Sequence, residues 1–106
     1  MKGIFLGVTF FLLAGCATHY YIIRDDRVNF FLKIPNAGVV YFASSLDQFK
    51  LHPAKKMHSG IWEITVPSAR EFRYFYAVDG VIYLPDCRLK EKDDFGAENC
   101  IFVPDM

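Results

Sequence analysis

The chain has 106 residues, enough for one small domain and too few for a separate catalytic barrel beside it. Lys and Arg balance Asp and Glu at 12 each, so no net field is available to recruit nucleic acid or an acidic membrane surface. A composition of 53% hydrophobic and 17% aromatic residues excludes a disordered chain and supports a folded core.

Lys2 is the one charge ahead of an apolar run from Ile4 to Ala14. That run is too short to span a bilayer comfortably as a helix and has the shape of a secretory signal. It ends in Leu13-Ala14-Gly15-Cys16, which resembles a bacterial lipobox. The resemblance implies a signal peptide over residues 1–15 and a Cys16 thiol carrying diacylglycerol, with palmitate-type acyl chains as the membrane anchor. Each buried methylene contributes about 0.8 kcal/mol, so two or more chains hold a small domain to a membrane without a transmembrane helix. Ala17 stands where bacterial lipoproteins retained in the inner membrane often carry Asp, so the expected location is the cell envelope, at the outer membrane. The alternative is an ordinary signal peptide or hydrophobic helix with an incidental cysteine.

Residues 16–27 are expected to be a lipidated tether or a short edge strand, and the bulky run Tyr20-Tyr21-Ile22-Ile23, unusual for a pure linker, favours packing on the domain. The charged tetrad Arg24 to Arg27 reads as a solvated turn. Val28 to Ile34 then alternates, with Val28, Phe30, Leu32 and Ile34 on one face, as a half-buried strand does. Pro35-Asn36-Ala37-Gly38 turns the chain. Val39 to Ser44 is a second strand, and Ile61 to Val66 is a third with Trp62, Ile64 and Val66 on one side.

Phe72 to Asp86 predicts a β-hairpin, with Asp79-Gly80 as a two-residue type I′ turn that sets Val78 against Val81 and Tyr76 against Tyr83. By alternation Phe72, Tyr74, Tyr76, Val78, Val81 and Tyr83 share one face. Arg73, Phe75, Ala77, Ile82 and Leu84 share the other. Asn99 to Val103 makes the sixth strand, and short strands at this spacing predict an antiparallel β-sandwich.

The ordered motifs Val39 to Phe49, Gly60-Ile61-Trp62-Glu63-Ile64-Thr65-Val66-Pro67, Tyr74 to Gly80, Pro85-Asp86 and Phe95-Gly96-Ala97-Glu98-Asn99 allow a family comparison. Together, from about Val28 to Val103, they resemble the isoamylase N-terminal-like, glycogen-binding carbohydrate module. The same module occurs in the β subunit of AMP-activated protein kinase. The resemblance implies an all-β, immunoglobulin-like early-set sandwich over residues 28–106. It also implies a sugar face. Phe49 and Ile82 stand at the family's two tryptophan positions, Phe75 at its lysine, Asn99 at its sugar-binding asparagine, and Phe95 at the apolar clamp.

On the hairpin, Phe75, Ala77, Ile82 and Leu84 would form an apolar outer patch that calls for a cover. Tyr20 to Ile23 folding back, or an envelope protein partner, would supply it. Phe49, Phe75, Ile82, Phe95 and Asn99 are therefore the candidate face for a glycan or a protein.

With Cys16 lipidated, Cys87 and Cys100 remain, and an exported domain folds where disulfides persist. They are expected to pair across the charged stretch Arg88 to Asp94, the alternative being two buried free thiols. His19, His52 and His58 show no ligand spacing, and the chain has no nucleophile motif or phosphate-binding glycine loop. The expected function is therefore non-catalytic, without metal or cofactor. The protein would be a membrane-anchored lipoprotein that binds a glycan or an envelope protein, or one that is purely structural, with no role for nucleic acid.

Overall fold

The computed structural model describes residues 18–104, which fold as an immunoglobulin-like antiparallel β-sandwich. The expected signal peptide, the expected lipidation site Cys16 and Ala17 lie outside the described residues. One sheet has four strands: β1 (Thr18–Arg24), β2 (Arg27–Lys33), β5 (Lys55–Lys56) and β6 (Ile61–Pro67), in the order β1-β2-β6-β5. The other contains β3 (Val40–Ser44), β4 (His52–Pro53), β7 (Phe72–Val78), β8 (Val81–Tyr83), β9 (Lys90–Lys92) and β10 (Glu98–Phe102). Its order is β9-β10-β7-β3-β4, with β8 also pairing β7.

Strand alternation builds the core. Val28, Phe30 and Leu32 on β2 face inward with Trp62 of β6, opposite Val40 and Phe42 of β3, Phe72, Tyr74 and Tyr76 of β7, and Cys100 and Phe102 of β10. Phe30 sits at the middle, fully buried, with its ring 4.8 Å from Tyr74, 5.4 Å from Phe42 and 5.9 Å from Phe102. Offset and edge-on aromatic packing of this kind adds to the area buried.

The hairpin has the expected register, with Tyr76 opposite Tyr83 and Val78 opposite Val81. Asp79 and Gly80 both take positive φ, 50° and 85°, as a type I′ turn requires. The Asp79 carboxylate does more than tolerate the turn: its Oδ1 accepts the backbone N–H groups of Gly38 and Val39, each at 2.8 Å. The hairpin tip is thereby pinned to the turn that leads into β3.

Among the described residues, four strands exceed the six expected. β4, β5 and β9 are two or three residues long, too short for alternation to mark them, and β9 forms inside the charged Arg88 to Asp94 stretch. β1 is the edge strand that stood as one of two readings of this segment. It pairs with β2 without interruption from Thr18 opposite Lys33 to Arg24 opposite Arg27, so the tether expected over residues 16–27 is sheet from Thr18 onward. The bulky residues decide this, because a strand beside β2 covers the margin of the core with Tyr21 and His19.

The outer residues of the hairpin also differ from the alternation. Val81, expected inward, is 67% exposed at the strand tip. Leu84, expected outward, packs on the core because β8 ends at Tyr83 and the alternation ends with it. Cys87 and Cys100 form the expected disulfide, with Cα atoms 6.0 Å apart.

Candidate functional site

The outer face of the six-stranded sheet carries a hollow of about 290 Å³ in which Phe49, Phe75 and Asn99 meet. Local chain chemistry delivers Phe49. Ser44 Oγ accepts the Leu46 N–H and starts a 3-10 turn over Ser45–Asp47, after which Gln48 and Phe49 both lie in the left-handed region at φ 63° and 61°. The Phe49 N–H closes the turn on the Ser44 carbonyl at 2.7 Å. Two successive non-glycine residues there cost conformational energy. The turn brings the Phe49 ring onto Phe75 of β7, with centroids 5.7 Å apart and planes 14° from parallel. Phe49 still keeps 37% of its surface exposed.

Polar groups complete the hollow. Asn99 reaches it from β10, mostly buried. Arg73 shares the face of Phe75, and its Nε and Nη2 donate to the two carboxylate oxygens of Glu91 on β9 at 3.0 and 3.1 Å. Its Nη1 donates to Glu71 at 2.8 Å. The hydrogen bond with Arg73 holds the Glu91 carboxyl below the usual carboxylate range, and the same bond raises the guanidinium. Asp93 and Ser45 line the remainder of the hollow, which thus combines an aromatic wall with an amide, a guanidinium and two carboxylates.

The other two candidates lie elsewhere. Ile82 is on the same outer face, opposite Ala77, but stands outside the hollow and 68% exposed. Phe95 is at the tip of the β9–β10 turn, 95% exposed, where Asp93 Oδ1 accepts the N–H groups of Phe95 and Ala97. Nor do Tyr20 to Ile23 cover Phe75 and Ile82, since β1 belongs to the four-stranded sheet. Phe49 is what covers Phe75. Arg73 was legible as a neighbour of Phe75 by parity, whereas Glu91 joins the site through the short strand β9, which has no sequence signature.

A second hollow, of about 300 Å³, opens at the side of the sandwich between β1 and β10. His19 and Tyr74 line it together with Leu89, Ile101 and the disulfide residue Cys87. His19 stacks on Phe30 at 5.7 Å, and burial pushes its imidazole pKa down to about 4, so the ring is neutral at physiological pH. Burial also raises the Tyr74 hydroxyl, leaving it protonated. Nothing in the spacing of the histidines marked His19. Among the described residues no cluster of three His, Cys, Asp or Glu side chains could hold a metal ion, and no helix is long and apolar enough to cross a membrane.

Compared with protein-family models and with curated protein sequences, the chain matches none.

Proposed function

We propose that this protein is a non-catalytic envelope lipoprotein, anchored through lipid on Cys16, whose sandwich binds a glycan in the hollow formed by Phe49, Phe75 and Asn99. The observation that carries this reading is the meeting of those three residues, from three separate parts of the chain, at one concave site. An exposed aromatic face covers the apolar C–H surface of a pyranose ring. The planar amide, guanidinium and carboxylate groups around it suit the paired donors and acceptors of sugar hydroxyls. The resemblance to glycogen-binding modules supports an α-glucan as the ligand class. Phe49 replaces a tryptophan and offers less area, so modest affinity is expected.

Affinity electrophoresis of the mature domain on glycogen or amylopectin gels tests the proposal. Retardation that Phe49→Ala abolishes supports it, and free migration on every α-glucan and on peptidoglycan would sink it. A second reading, docking of an envelope protein, draws on the exposed pair Val81 and Ile82 at the hairpin tip beside the hollow. Capture of a defined partner that Ile82→Asp releases and Phe49→Ala does not would favour it.

A further inference from the structure

The β1 edge carries an unusual surface. Tyr20, Tyr21, Ile22 and Ile23 are consecutive, point alternately to both faces, and are all between 40% and 42% exposed. Among the described residues β1 is the terminal strand of its sheet, and no described strand pairs with its outer margin. The devices that normally blunt such an edge are missing. From Thr18 to Ile23 there is no Lys, Arg, Asp, Glu or Pro, and pairing with β2 runs through seven residues without a bulge. His19, the one titratable side chain besides the tyrosines, is held neutral by burial against Phe30.

We infer that this edge is a membrane-contacting surface: Tyr20 to Ile23 rest in the interfacial layer of the bilayer to which Cys16 is anchored. The inference rests on the lipid-anchored reading above. Only Ala17 separates Cys16 from Thr18, and a span of two residues reaches at most about 7 Å, so the lipid brings the start of β1 to the bilayer surface. The strand is chemically suited to that depth. Tyrosine rings carry an apolar body and a polar tip and concentrate at membrane interfaces. Isoleucines gain by leaving water. A strand margin without a partner could not enter hydrocarbon, but interfacial water and headgroups satisfy it.

Charge points to a neutral contact, because Arg24 and Arg27 beyond the strand are offset by Asp25 and Asp26 in the same turn. The association should therefore respond little to salt, unlike a polybasic patch. Its consequence is orientation: the domain would lie on one edge, with the Phe49 hollow carried on the other sheet and open to solvent.

The test uses the full-length lipoprotein in phosphatidylcholine vesicles whose acyl chains are brominated. Ile22→Trp and, as a control on the other sheet, Ile82→Trp are compared, with Tyr20→Trp as a second probe should Ile22→Trp fail to fold. The native Trp62 is buried and gives a constant background. Emission from Ile22→Trp should fall to roughly half, independent of salt, while Ile82→Trp is unchanged, as a residue at the interface and one in water differ. Unquenched Ile22→Trp in protein shown by mass spectrometry to carry lipid on Cys16 overturns the edge contact alone. Absence of lipid on Cys16 overturns the anchor and the edge contact together. Loss of quenching with cross-linking of Ile22→Cys between two copies would identify edge-to-edge pairing instead and also overturn it.

Discussion

His19 Nε2 and the Tyr76 hydroxyl lie 3.0 Å apart, a hydrogen bond that joins the edge strand of the four-stranded sheet to the central strand of the other. Burial depresses the His19 pKa from 6.5 to about 4 in the folded protein. Between those values the unfolded chain binds a proton that the folded chain does not. Stability is therefore full above pH 6.5, falls as pH drops toward 4, and levels off below. The contribution is at most about 3 kcal/mol. Urea unfolding at pH 7 and pH 4.5 measures it, and His19→Gln should flatten this part of the pH profile. An unchanged slope in the variant would show that other groups carry it. Asp47 and Glu91, whose carboxyls are lowered by hydrogen bonds to His52 and Arg73, also lose stability in acid, starting at the lower end of this window, so the comparison with His19→Gln isolates the imidazole.

Phe49 and Asn99 divide the work of the proposed glycan site. Phe49→Ala is expected to remove the stacking surface and weaken α-glucan binding at least tenfold, a loss of about 1.4 kcal/mol or more. Asn99→Ala should cost less, about 1 kcal/mol for a hydrogen bond. Titration with maltooligosaccharides measures both. Equal affinity in all three proteins would place any glycan contact outside the hollow.

Reduction of the Cys87–Cys100 bond should destabilise the domain. It closes a loop of sequence separation 13, for which restriction of the unfolded chain gives about 3 kcal/mol. Cys100 is fully buried, so comparison of oxidised and reduced wild type is cleaner than a substitution that also opens a cavity. The urea midpoint should shift down on reduction. No shift would mean that packing around β10 holds the loop without the bond.

Asp79 has two roles that can be separated. Asp79→Asn keeps a residue tolerant of positive φ and an oxygen for the Gly38 and Val39 N–H groups. Asp79→Ala keeps neither and is expected to cost about 1–2 kcal/mol more. Denaturant unfolding of the two variants checks the difference, and equal stability would show that the cap adds nothing to the turn.

Much of the fold was legible because its signals are local. Alternation in Val28 to Ile34 and Phe72 to Val78 follows from the two-residue period of a strand, and Asp79-Gly80 announces its turn by backbone tolerance. The same parity placed Phe75 and Ile82 on one outer face, where they are. It did not place Phe49 on Phe75, since that stack depends on two left-handed residues after Ser45–Asp47, Gln48 and Phe49, neither of which is glycine. Leu84 escaped for a related reason: the period holds only while the strand lasts.

The sequence by itself determined an all-β chain, the hairpin and its register, and the inward faces of β2 and β7. Each rests on alternation or turn chemistry. Tertiary structure decided between tether and strand for Thr18 to Arg24, paired Cys87 with Cys100, left His19 half-buried and neutral, and brought Phe49, Asn99 and the Arg73–Glu91 pair together at one hollow. Those outcomes depend on which strands lie side by side, and burial, charge state and concavity arise only once residues distant in the chain share a surface.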